Sequence, residues 1–212
     1  MVAPDVKPSS RSDGRAAKAA ATRRRVVAAA YDLFCGQGYA ATTMTEIAAA
    51  AGVAAQTLYF TFQTKAAILQ EAFFAAVVGD DAKPPPEQEW WGKMERARDA
   101  RRAIGHAVDG AVDIFARVVP LVAAVRAVDD HDVRVLRTRQ DEMRRAGYRD
   151  ILHIVTTKEP LRPGVTLEGA VDVMYVLLSP DVYRAHTVEN RWSPRRYRSW
   201  VTDALYRLLF AT

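Results

Sequence analysis

At 212 residues the chain has room for one large domain, or a small domain joined to a mid-sized one, and either buries enough core to fold without disulfide or metal staples. Cys35 is the only cysteine, which excludes an intramolecular disulfide and a cysteine zinc site and fits a reducing compartment. The net charge of +5 sits at one end: residues 1–25 hold seven Lys and Arg against two Asp, while the other 23 basic and 23 acidic residues cancel, so a polyanion partner or a solubilising tail is expected there.

In chain order, residues 1–18 are rich in Pro, Ser, Gly and basic groups and are expected to form a disordered basic arm. They lack the apolar run of a secretory signal, and no stretch approaches the roughly 20 apolar residues that span a bilayer, so a cytoplasmic protein with no membrane partner is expected. Val26, Ala30, Leu33 and Phe34 recur at helical spacing, and Gly36 and Gly38 close that helix. The order Thr43-Met44-Thr45-Glu46 is a capping box, in which hydroxyl and carboxylate satisfy each other's free backbone donors. The helix it opens runs through Ile47 to Gly52. A third, short helix covers about Ala54 to Phe60, and Thr64 can cap a fourth that turns Ile68, Leu69, Ala72 and Phe73 inward.

Residues 79–89, with Pro84, Pro85 and Pro86, form a connector that cannot be helical throughout. Amphipathic helices follow. One carries Ile104, Ala107, Val108, Ala111, Val112, Phe115 and Val119 up to an expected kink at Pro120, and the next carries Leu136, Met143, Ile151, Leu152 and Val155. Leu167, Ala170, Val171, Met174, Leu177 and Leu178 form a stripe ended by Pro180. Ser193-Pro194, a cap with a first-turn proline, opens a last helix with Val201, Ala204, Leu205, Leu208 and Leu209. No strand alternation is visible, so the fold class is all-α.

The span from Thr42 to Lys65 places three short helices in a stretch too small to bury its own faces, two of them joined by a tight turn at Gly52. That is the layout of a helix-turn-helix, whose second helix enters the major groove. The run Thr42-Thr43-Met44-Thr45-Glu46-Ile47-Ala48, then Ala51-Gly52-Val53, then Thr57-Leu58-Tyr59-Phe60-Thr61-Phe62 and Lys65, resembles the DNA-binding domain of the TetR family. Ala29-Ala30-Tyr31-Asp32-Leu33-Phe34 and Gly38-Tyr39 resemble its first helix. Ser179-Pro180-Asp181-Val182-Tyr183 and Trp192-Ser193-Pro194 resemble a segment of the family's regulatory domains.

The resemblance implies a three-helix DNA-binding domain over residues 19–66 and a helical ligand-binding and dimerisation domain over 67–212. It implies a homodimeric transcriptional regulator, most often a repressor, that holds double-stranded operator DNA, answers to a small-molecule effector and needs no cofactor. Thr42, Thr43, Ala54, Ala55, Gln56, Thr57, Tyr59, Phe60 and Lys65 are then the expected DNA-binding residues. Thr43 caps a helix whose N-terminus faces phosphate, and Tyr59 and Lys65 resemble the family's phosphate-contacting tyrosine and lysine. Gln56 can pair with adenine, and Thr57, Ala54 and Ala55 can offer methyl contacts. Two positions depart from the family: Ala54 replaces a frequent capping serine, and Gln56 replaces a frequent glycine.

Candidate effector-pocket residues are Trp90, Trp91, Met94, Phe115, Met143, Tyr148 and Met174, each also a natural core residue. The stripes over 167–179 and 194–210 are expected to pair across a two-fold axis as a four-helix interface. An enzyme or metal protein would rest on His106, Asp109 and Asp113. These lie together on the side of their helix opposite its apolar set, with Arg102 and Arg117 beside them, the pattern of a solvated charge ladder. His131, His153 and His186 have no ligand-like spacing. An architectural DNA-binding protein without an effector is the other alternative, with some two-thirds of the chain then left without an obvious use.

Overall fold

The computed structural model describes residues 10–210, with side chains from residue 14 onward. Among these residues all regular elements are helices. The chain divides into two compact units, one through Ala72 and one from Phe73 on.

In the first unit, α1 spans Ser10–Gln37, α2 Met44–Ala51, α3 Ala55–Phe62, and α4 begins at Lys65. The start of α1 corrects the disordered arm over residues 10–18, while residues 1–9 lie outside the described residues. Composition hid the helix because Ala16, Ala17 and Ala19–Ala21, which lose no side-chain entropy on winding, are interspersed with cations. Val26, Val27, Ala30 and Phe34 form its buried face. The helix ends at Gly38, whose φ of 87° admits the left-handed turn and whose N–H donates to the Phe34 carbonyl at 3.0 Å. Phe34, Ile47, Leu58 and Phe62 are buried and Val53 is half-buried, and they supply the small core of this unit.

The link from α3 to α4 is strained. Gln63 has φ 60° and ψ −46°, and the Thr64 N–H donates to the Phe62 carbonyl at 2.6 Å, a γ-turn of the rare positive-φ kind. A side chain at such a position costs on the order of 1 kcal/mol or more that glycine avoids. Because Gln63 is exposed, Gln63→Gly should raise the thermal midpoint of this unit by a few degrees, the equivalent of about 1 kcal/mol. A fall in the melting curve would mean the turn is not strained.

The second unit holds the end of α4 (Lys65–Val78), α5 Glu89–Glu95, α6 Ala100–Val125, α7 His131–Thr156, α8 Leu167–Leu177, α9 Pro180–Arg184 and α10 Pro194–Leu209. Each of α6 to α10 opens on a side-chain cap, from Asp99, Asp130, Thr166, Ser179 and Ser193 in turn. The kink expected at Pro120 does not end α6, where Val118, Val119, Leu121 and Val125 stay buried on both sides of the proline. Pro180 does not simply stop α8 either, since Ser179 caps a new helix whose first residue it is.

The core of this unit joins α5, α6, α7, α8 and α10. At the end of α8 the free carbonyls meet two buried phenols: Tyr148 donates to Leu178 O and Tyr197 to Leu177 O. Burial pushes both phenols above their ordinary pKa, so both remain donors. Trp90 lies flat against α6 at Gly110, where a Cβ would come within 2.2 Å of the indole, so only glycine fits there.

Candidate nucleic-acid interface

The geometry begins with the capping box. Glu46 N–H donates to Thr43 Oγ1 at 3.2 Å, and the Glu46 carboxylate accepts from the Thr43 N–H at 2.7 Å and the Thr43 hydroxyl at 2.8 Å. The backbone bond from Thr43, then its hydroxyl, hold the Glu46 carboxyl below its usual range, so the box is intact at neutral pH and weakens only as acid protonates it. Gly52 then closes α2 in the left-handed conformation, φ 64°, and sends the chain into α3. Ala54 is the N-cap residue of α3 and makes no side-chain cap, which leaves one helix donor more open than a serine would.

On α3, Leu58 and Phe62 face inward. At about 100° per residue, Phe60 lies diametrically opposite them, Gln56 stands one turn before it, and Thr57, Tyr59 and Thr61 flank the pair. All five are exposed, Tyr59 by 50% and Phe60 by 88%, whereas Ala55 is half-buried. Gln56, Thr57, Tyr59 and Phe60 of the expected set therefore share one outward surface. Exposed Ala54 and the exposed Thr43 cap stand at the N-termini of α3 and α2.

Two expected contacts are placed differently. Thr42 is 1% exposed, its hydroxyl donates to the Gly38 carbonyl at 2.8 Å, and it locks the α1–α2 loop. Lys65 is half-buried, and its ammonium donates to the Tyr39 and Thr42 carbonyls, each at 2.7 Å, while standing 4.3 Å from the Tyr39 ring centroid. In this structure the lysine staples the α1–α2 loop to the start of α4. A charge read from sequence says nothing of which carbonyls fold over it.

The structure also adds residues. A groove of about 430 Å³ between α1 and α3 is lined by Arg15, Lys18 and Arg23 on one side and Thr57, Thr61 and Phe62 on the other. Arg23 makes a two-point ion pair with Glu71 and lies 4.6 Å over the Phe62 ring, so its role is to tie α1 to α4. Arg15 and Lys18 are exposed and line this groove beside α3. Their signal in the sequence was the N-terminal charge excess, hidden by the assignment of these residues to an arm.

In the second unit, Met143 is 65% exposed and leaves the pocket set. Trp91, Met94, Phe115, Tyr148 and Met174 are buried core, with Trp90 packed against them. The stripes expected to meet a partner chain, Ala170, Val171, Met174 and Leu178 with Val201, Leu205 and Leu209, are buried within the chain itself. Helical periodicity marks a face as buried but does not name what covers it. The charge-ladder reading of α6 gains partners: Arg198 of α10 bridges Asp109 and Asp113, and His106 Nδ1 lies 4.0 Å from Asp109. Among the described residues no three His, Cys, Asp or Glu side chains gather to hold a metal. No described helix is long and apolar enough to cross a membrane. Burial raises the Cys35 thiol above its ordinary pKa, against a reactive thiolate.

The profile of a family described as bacterial regulatory proteins, tetR family, matches residues 26–72, which runs from the buried face of α1 into α4. The HTH-type transcriptional regulator YdeS of Bacillus subtilis is 26% identical over 166 residues, covering 77% of each chain. In fold, the chain is similar to NalD, the secondary repressor of the MexAB-OprM multidrug efflux pump in Pseudomonas aeruginosa, with a TM-score of 0.68 at 19% identity over 91% of this chain and 98% of that one. It is equally similar to the fatty acid degradation regulator FadR of Bacillus halodurans, with a TM-score of 0.68 at 17% identity over 87% and 94% of the two chains. A capped helix, a glycine turn and an outward-facing second helix lie inside the matched span: the chain is a helix-turn-helix transcriptional regulator whose residues 26–72 are similar to the DNA-binding domain of the tetR family of bacterial regulatory proteins.

Proposed function

We propose that the protein is a cytoplasmic repressor that holds operator DNA as a homodimer and releases it when a small molecule binds the helical second unit. The observation that carries the DNA reading is the outward surface of α3, where Gln56, Thr57, Tyr59 and Phe60 are exposed together above a buried Leu58 and Phe62. Gln56 reads a base, and Tyr59, Arg15, Lys18 and the N-terminus of α2 grip phosphate and set register. Lys65 contributes by holding the α1–α2 loop. Repression rests on the likeness to NalD, and release by a small molecule on the resemblance to the TetR family. An effector acts only through its different affinity for the two states of the dimer.

Dimerisation uses the outer faces of α8 and α10, since the inner ones are core. Val176, 59% exposed, lies opposite the buried Met174 on α8, and Leu208, 41% exposed, is on α10.

Operators recovered by selection from random DNA and then substituted one base pair at a time test the reading. Gln56→Ala should lose about 1 to 3 kcal/mol on the cognate site and relax preference at one base pair, because a good bidentate base contact discriminates by that much. Uniform loss on cognate and scrambled DNA would make Gln56 a positioning residue, and no recovered sequence would favour an architectural protein.

A further inference from the structure

Phe60 is the most exposed of the large hydrophobic side chains among the described residues, at 88%, and it stands at the centre of the outward surface of α3. A phenyl ring has no donor or acceptor, so unlike Tyr59 it cannot be held there by a phosphate hydrogen bond. Leaving it in water forfeits the burial that a phenyl ring otherwise gains. The inner face of the same helix already supplies the domain core through Leu58 and Phe62, so Phe60 plays no part in folding it. Its neighbour one turn earlier, Gln56, carries the amide suited to adenine, and Thr57 adds a methyl group on the flank.

In the major groove the one apolar group that distinguishes base pairs is the thymine 5-methyl, and it is matched by apolar contact. We infer that Phe60 is a specificity determinant that packs its ring on a thymine 5-methyl group, beside the base read by Gln56. The inference rests on the reading of α3 as the recognition helix. It adds a chemical class of contact at a named position: shape and dispersion against a methyl, with no hydrogen bond.

Deoxyuridine in place of thymidine tests it, since the change removes only the methyl and keeps the pairing edge. In an operator recovered by selection, one thymine per half-site should show a roughly fourfold loss of affinity on conversion to deoxyuridine, the worth of about one buried methyl group. Phe60→Ala should bind the thymine operator more weakly and be indifferent to deoxyuridine at that position. Any other sensitive thymine, such as one touched by the Thr57 methyl, should keep its penalty in Phe60→Ala. Phe60→Leu, which keeps an apolar tip, should retain part of the penalty. Unchanged melting curves for both variants would confirm that the domain is intact, as the exposure of Phe60 requires. A wild-type protein insensitive to every deoxyuridine, or a Phe60→Ala protein with the same penalty as wild type, overturns the inference while leaving operator binding standing. Failure of selection to recover any operator overturns the reading of α3 and the inference with it.

Discussion

Replacing Met174 with glutamate is expected to unfold the helical second unit instead of releasing folded monomers. Met174 is 1% exposed on the inner face of α8, with Ala170, Val171 and Leu178 beside it, in a core shared with α6, α7 and α10. The substitution removes the burial of a methionine side chain, worth about 2 kcal/mol. It also places a carboxylate where desolvation costs several kcal/mol more. Together these exceed about 5 kcal/mol, the lower end of the whole stability of a domain. Circular dichroism should show the helical signal of α5 to α10 lost, with no cooperative melt. Val176→Glu is the matched control, on the opposite side of the same helix and 59% exposed. That variant should keep its helicity and sediment as a monomer, losing operator affinity because the two reading heads are no longer joined. A Met174→Glu protein that melts like the wild type would refute the assignment of this stripe to the core.

These paired substitutions separate what is local in the sequence from what depends on the fold. Caps are local, so the Thr43–Glu46 box and the Gly52 turn could be read from spacing alone, whereas the outward set of α3 came with the resemblance to the TetR family. The apolar stripes of α8 and α10 were equally visible, but a stripe covered by the same chain and one covered by a second copy have the same period. Only the exposure of Val176 and Leu208 separates the two faces. Ser179-Pro180 carries the same opener as Ser193-Pro194 and was read as a stop because the helix it begins is only five residues long. Trp90, Trp91 and Met94 were noticed without the short helix that presents them, which follows directly on the proline connector and has little room for a periodic pattern. For α8, α10 and Lys65 the missing information was tertiary, namely which face, chain or carbonyl lies opposite, and for α5 and α9 the helices are too short to show a period.

Lys65→Met is expected to loosen the DNA-binding unit while leaving the ionic part of its hold on DNA unchanged. Methionine keeps much of the stem but removes two charge-assisted hydrogen bonds, to Tyr39 O and Thr42 O, and the contact with the Tyr39 ring. Bonds to a charged group contribute about 1.5 to 3 kcal/mol each, and both carbonyls lose a donor in a part-buried loop, so a net loss of about 3 kcal/mol is expected. At roughly 4 to 8 °C per kcal/mol for a unit of this size, its midpoint should fall by more than about 10 °C. The loop holds Thr43 at the head of α2, so affinity for cognate and scrambled operators should fall together. The salt dependence separates a staple from a phosphate contact. A lysine on phosphate releases a counterion, and its removal flattens the plot of log affinity against log salt by about 0.9. For Lys65→Met, measured well below the melting transition, the slope should equal that of the wild type, whereas Lys18→Met, an exposed cation beside α3, should flatten it. A flattened slope with an unchanged melting curve would return Lys65 to the DNA backbone and leave Thr42, the capping box and the Phe34–Tyr39 ring contact to hold the α1–α2 loop.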